Sequence, residues 1–66
     1  MTIILNGKQF GIPDNSTIQN LLDIKGIEKA QVVVELNRTI IDRGKTGTAE
    51  LKPGDEIEVL HFVGGG

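Results

Sequence analysis

Four groups of residues in this chain have the types and spacing that chemistry could use. His61 offers an imidazole for acid–base work, but it is the one histidine and there is no cysteine to form a dyad, so a surface or sheet-edge role fits it better. Asp55, Glu56 and Glu58 form a short acidic run; such a run can hold a cation, but is more often a solvated rim, here suited to meeting a basic partner surface. Gly44-Lys45-Thr46-Gly47 contains the Gly-Lys-Thr of a phosphate-binding loop. Thr39 stands where that motif needs its first glycine and no helix signal follows, so nucleotide binding by this loop is rejected. The fourth group is Gly64, Gly65 and Gly66. Glycine has nothing to pack and loses the most backbone freedom on ordering, so a fold gains nothing by burying this run. It reads equally as a functional terminus or as a disordered end.

The elements that must position these groups are small. Sixty-six residues make one domain, and a chain of this length hides only about 60% of its unfolded surface. Without cysteine there is no disulfide, and one histidine cannot build a zinc site. Stability must come from isoleucine, leucine and valine. Phe10 and Phe62 are the only aromatics, and seven Lys and Arg against nine Asp and Glu give a net charge of −2. That balance disfavours nucleic acid, which wants a basic stripe and stacking rings. Runs such as "IIL" and "VVV" fall far short of the roughly 20 apolar residues of a membrane span. The N-terminus opens into a strand-like pattern without a secretory signal, and the expectation is a soluble cytoplasmic protein.

Along the chain, "TIIL" and "KQFGI" flank Asn6-Gly7, a pair suited to a two-residue hairpin turn. "STIQNLLDIKG" reads as a helix: Ser16 and Gln19 have capping-box spacing, Ile18, Leu21 and Leu22 form one apolar stripe, and Lys25 and Gly26 mark the end. "QVVVELN" places Val32, Val34 and Leu36 on one face of a strand, and "RTII" pairs with it or forms a short edge strand. Residues 42–49 read as a surface loop, Lys52-Pro53-Gly54-Asp55 as a turn, and "EIEVLHFV" as the last strand. One helix across one face of a mixed four- or five-stranded sheet covers both apolar stripes, so the class is α+β.

The order of elements, the "LNGK" turn, the "VVVELN" strand and the "KPGDEIEVLHFVGGG" ending resemble the sulfur carrier family of thiamine biosynthesis over nearly the whole chain. These are ubiquitin-like proteins of β-grasp fold. The resemblance implies a β-grasp domain over residues 1–63 and a flexible glycine tail over 64–66. It implies that the chain is not an enzyme and binds no cofactor. A ubiquitin-activating-like adenylating enzyme would use ATP with magnesium to join the Gly66 carboxylate to AMP. Sulfur from a cysteine desulfurase would then replace AMP, and the resulting thiocarboxylate would serve a thiazole synthase. Gly64 and Gly65 would enter the partner's active site. The absence of cysteine agrees, since no thiol is present to carry sulfur as a persulfide. Related readings are a molybdopterin-synthase-type carrier and a ubiquitin-like modifier; a non-covalent β-grasp interaction module is a reading of another class.

The last strand also carries a surface expectation. If Ile57 and Val59 point inward, then Leu60 and Phe62 point to the open side of the sheet, beside Ile4 and Val33. With Val63 these residues would form a partner-docking surface next to the tail. The competing reading is a bulge that shifts the strand's phase and buries them.

Overall fold

A computed structural model describes residues 1–62. Strands β1 (Thr2–Leu5) and β2 (Lys8–Gly11) form the expected hairpin, with Leu5 opposite Lys8. Both turn residues, Asn6 (φ 48°) and Gly7 (φ 82°), are left-handed, the twist that suits a two-residue hairpin. Helix α1 (Ile18–Lys25) follows, then β3 (Val32–Leu36), β4 (Thr39–Ile41) and β5 (Glu56–His61). "RTII" thus pairs with β3, and the sheet has five strands in the order β2-β1-β5-β3-β4. The last strand is the central one. It runs parallel to β1 and antiparallel to β3.

The helix stripe is as its spacing predicts: Ile18, Leu21 and Leu22 are fully buried, against Ile3, Ile12, Val32, Val34, Leu51, Ile57 and Val59. Its C-terminus closes at Gly26 (φ 68°), where Gly26 N–H donates to Asp23 O (3.1 Å) and Ile27 N–H to Leu22 O (2.8 Å). This pair of bonds satisfies two of the carbonyls that the helix end leaves without a partner, those of Leu22 and Asp23.

The N-terminus corrects the expectation. The capping box is one residue later: Asn20 N–H donates to Thr17 Oγ1 (3.1 Å) and Thr17 N–H to Asn20 Oδ1 (2.8 Å). Ser16 is drawn elsewhere, its buried hydroxyl donating to Pro13 O (2.6 Å) and its carbonyl accepting from Leu51 N–H (2.8 Å). With its hydroxyl turned back to Pro13 O and the helix beginning only at Ile18, Ser16 is not the cap.

Residues 42–49 are not simply a surface loop. A 3₁₀ turn at Arg43–Lys45 brings Thr46 into the interior, 2% exposed, where its hydroxyl donates to Gln19 Oε1 (2.8 Å). Gln19 N–H donates to Thr46 O (2.8 Å) and Ile18 N–H to Ala49 O (3.0 Å). With Asn20 N–H on Thr17 Oγ1 and Thr17 N–H on Asn20 Oδ1, all four orphan donors at the helix start are met. The Lys52-Pro53-Gly54-Asp55 turn forms as expected, with Gly54 at φ 83° and Asp55 N–H on Lys52 O (3.1 Å).

Candidate functional site

The site begins with β5, because its end leads to the glycine run. Its register with β3 is unbroken from Leu36 opposite Ile57 to Val32 opposite His61, so no bulge shifts the strand's phase. Ile57 (1% exposed) and Val59 (6%) therefore enter the core, while Leu60 (47%) and Phe62 (46%) stand in solvent. The alternation does what period-2 geometry demands.

Val33 lies directly opposite Leu60 on the outer face, half-buried, and exposed Phe62 follows two residues on, so three apolar side chains gather toward the end of the central strand. Ile4 does not join them. It is on the same face but pairs with Glu56, four residues down β5 from Leu60, or about 13 Å at the usual strand rise. Parity along a strand gives the face; the distance between residues on neighbouring strands depends on register, which the sequence pattern did not give. Val63 and the tail residues Gly64, Gly65 and Gly66 lie outside the described residues.

Between Ile4 and the apolar cluster the outer face is acidic. Glu35 and Glu58 are direct cross-strand partners, and with Glu56, Ile4, Gly7 and Arg38 they line a shallow concavity. Arg38 reaches it from an unexpected conformation. The β3–β4 turn is Asn37-Arg38, both left-handed (φ 49° and 72°), although arginine lacks glycine's freedom there. Asp55 belongs to the frame rather than the acidic face: its carboxylate accepts from Asn37 Nδ2 (3.1 Å) and Lys52 N–H (2.8 Å). His61 is exposed at the strand end opposite Val32, as a sheet-surface role requires. Among the described residues no group of three or more His, Asp or Glu is gathered to hold a metal ion. Among them, too, no helix is long and apolar enough to cross a membrane.

Two asparagines fix β5 from either side. β1 turns away after Leu5, but Asn6 takes its place: Val59 N–H donates to Asn6 Oδ1 (2.8 Å) and Asn6 Nδ2 to Val59 O (3.4 Å). On the β3 side, Glu56 N–H donates to Asn37 Oδ1 (2.9 Å) and Asn37 N–H to Glu56 O (2.8 Å). The Asn6 side chain supplies both ladder bonds that a missing strand residue would have made, while Asn37 supplies one through its side-chain oxygen and one through its backbone N–H. Only the turn role of Asn6 was readable from its Asn-Gly pair.

The outer end of β5 has one further attachment. Phe62 N–H donates to Gln31 O (3.3 Å), and the Arg43 guanidinium carbon sits 5.4 Å from the Phe62 ring centroid. No spacing rule connects a loop arginine with a ring nineteen positions on, so this contact was not legible from residue types alone.

Comparison with known proteins fits this geometry. The family model described as the ThiS family matches residues 3–66. The sulfur carrier protein ThiS of Bacillus subtilis is 44% identical over 63 residues, covering 94% of this chain and 96% of that protein. A thiazole synthase of Magnetococcus marinus is 39% identical over all 66 residues, and the chain spans only 20% of that protein's length. The crystal structure of thiamine biosynthesis protein ThiS from Geobacter metallireducens superposes with a TM-score of 0.86 at 32% identity, each chain fully covered. With a family match over nearly its whole length and the same five-stranded sheet and single helix, the chain belongs to the ThiS family of small sulfur carrier proteins and has their ubiquitin-like β-grasp fold.

Proposed function

We propose that this protein carries sulfur as a thiocarboxylate on Gly66 for synthesis of the thiazole ring of thiamine. The observation that carries the reading is the ThiS family match, which runs to Gly66 itself. The kinship with the B. subtilis sulfur carrier supports it over nearly the full length of both chains.

The chemistry follows from the terminal group. A carboxylate resists nucleophiles because its charge is delocalised and oxide is a poor leaving group. An adenylating enzyme of the ubiquitin-activating type, using ATP with magnesium, turns Gly66 into an acyl-adenylate whose leaving group is AMP. The terminal sulfur of a cysteine desulfurase's persulfide then attacks the carbonyl and expels AMP, and a thiol reductant cleaves the resulting S–S bond to leave the thiocarboxylate on Gly66. The carrier's own contribution is position: Gly64 and Gly65 bring no Cβ to the walls of a narrow channel, and Val33, Leu60 and Phe62 give the partner an apolar cluster beside the tail's root. The thiocarboxylate is consumed by a thiazole synthase. A segment resembling this chain within a protein named thiazole synthase supports that pairing. Dependence on ATP and on reduced sulfur makes the cytoplasm the compartment of the reaction.

The test is intact-protein mass spectrometry after incubation with the adenylating enzyme, ATP, magnesium, a desulfurase, cysteine and a thiol reductant. Exchange of one terminal oxygen for sulfur is expected, and removal of Gly65 and Gly66 should abolish it. An isopeptide-linked lysine product would make the protein a modifier instead. Undiminished partner function in the truncated chain would make it a non-covalent module.

A further inference from the structure

We infer that Arg43, in the loop between β4 and β5, is a positioning residue for the sulfur-carrying end of the chain. The inference rests on the carrier reading, and it assigns a part in delivery to a loop that the sulfur chemistry does not otherwise use. Phe62 is the last residue before the segment that ends at Gly66, and it extends past β5. Two contacts hold it to the sheet: its N–H on Gln31 O (3.3 Å) and its ring beneath the Arg43 guanidinium (5.4 Å to the centroid). That distance is within the range in which a ring face attracts a cation.

Arg43 is itself held in place. Its Nε donates to Lys29 O (3.1 Å), its own carbonyl accepts from Lys29 Nζ (3.4 Å), and the 3₁₀ turn that carries it is locked by the buried Thr46. Among the described residues the one ion pair joins the Met1 ammonium to Asp14. The Arg43 guanidinium thus has its backbone anchor and the Phe62 ring as its recorded contacts, and no carboxylate among those residues. The chain from Lys29 through Arg43 to Phe62 ties the point where the last four residues depart to the start of β3.

The consequence is preorganisation. A partner that must receive Gly66 in a closed channel binds more tightly when the root of the tail is already fixed, because less ordering is left to be done on binding. Removing such an anchor weakens ground state and transition state alike, which raises KM and leaves kcat in place. Arg43→Ala should therefore raise the KM of the adenylating enzyme for this carrier about two- to fivefold, the range an exposed cation–π contact commands. Arg43→Lys should recover part of the loss, since it returns a cation without the planar donor to Lys29 O.

The experiment is a double-mutant cycle of Arg43→Ala and Phe62→Leu. Leucine keeps apolar bulk and removes the ring. The readouts are KM and kcat for acyl-adenylate formation, by pyrophosphate release, and hydrogen exchange of the residue-62 amide in the free protein. A KM penalty for Arg43→Ala that vanishes in the Phe62→Leu background, with faster exchange at the Phe62 amide, supports the inference. Additive penalties, or an unchanged Phe62 amide, overturn it. The exchange measurement needs no partner: if the unsubstituted protein is never adenylated the carrier reading fails, whereas a normal carrier with uncoupled positions 43 and 62 fails this inference alone.

Discussion

Replacing Asn6 with glycine tests how β5 is held. Alanine would be a poor choice, because φ 48° at this position would add backbone strain to the loss of the amide. Glycine keeps the turn and removes only the side chain. What is lost is the bond from Val59 N–H to Asn6 Oδ1 (2.8 Å) and the longer one from Asn6 Nδ2 to Val59 O (3.4 Å). Val59 is 6% exposed, so its N–H would lose its partner in a largely buried place. An unmet buried donor costs about 1–3 kcal/mol, and water reaching the edge left by β1 brings the expectation to roughly 1–2 kcal/mol. The greater freedom of glycine in the unfolded chain acts in the same direction. Unfolding entropy near 2.1 cal/mol/K per residue gives about 0.14 kcal/mol/K for this chain, so the midpoint should fall by roughly 7–14 °C.

Thermal unfolding followed by circular dichroism measures the shift, and amide exchange at Val59 locates it. Asn6→Asp retains the acceptor for Val59 N–H and loses the donor to Val59 O, so it should fall between the parent and the glycine variant. A midpoint within about 2 °C of the parent for Asn6→Gly, with Val59 still protected, would refute the claim that this side chain extends the sheet.

Three other outcomes are expected. Phe62→Ser should leave the fold intact, since the ring is nearly half exposed, and weaken binding to the adenylating enzyme by tenfold or more in titration calorimetry, as the loss of an aromatic anchor does. Thr46→Val keeps shape but removes the hydroxyl donated to Gln19 Oε1; about 1 kcal/mol of stability should go, read by urea unfolding. Glu58→Gln relieves the like charge opposite Glu35 and should stabilise by a few tenths of a kcal/mol at low salt, a gain that fades as salt screens the pair.

Local signals were the legible part of this sequence. The spacing of Ile18, Leu21 and Leu22, the Asn6-Gly7 pair, Gly26 and the Lys52-Pro53-Gly54-Asp55 turn each act within a few residues, and each formed as its chemistry predicts. Where a distant partner intervenes, the local reading shifts or fails. Ser16 has the composition of a helix cap, but Pro13 and Leu51 claim it and hand the role to Thr17. Thr46, flanked by glycine and charge, reads as loop surface until its bond to Gln19 draws it under the helix. Arg38 adopts a left-handed angle because the β3–β4 register leaves only two residues for the turn, a constraint that no residue type announces. The exposure of Leu60 and Phe62 followed from parity, while the separation of Ile4 from them needed the β1–β5 pairing.

That parity is why the docking face is hard to lose without losing the fold. Ile57 and Val59 must point inward for the sheet to cover Ile18, Leu21 and Leu22, and this alone forces Glu58 and Leu60 outward, with Phe62 exposed just past the strand's end. A slip of one residue in β5 would bury Glu58 and expose Ile57 and Val59, a loss of apolar burial compounded by an unpaired charge in the core. Asn6 and Asn37 oppose such a slip from both sides, each meeting a specific backbone group of β5. Because β5 is the central strand, the chain leaves toward Gly66 from the best-supported position in the sheet. The demands of the core thus fix the outward pair Glu58 and Leu60, and with it the end of β5 from which the chain continues through Phe62 toward Gly66.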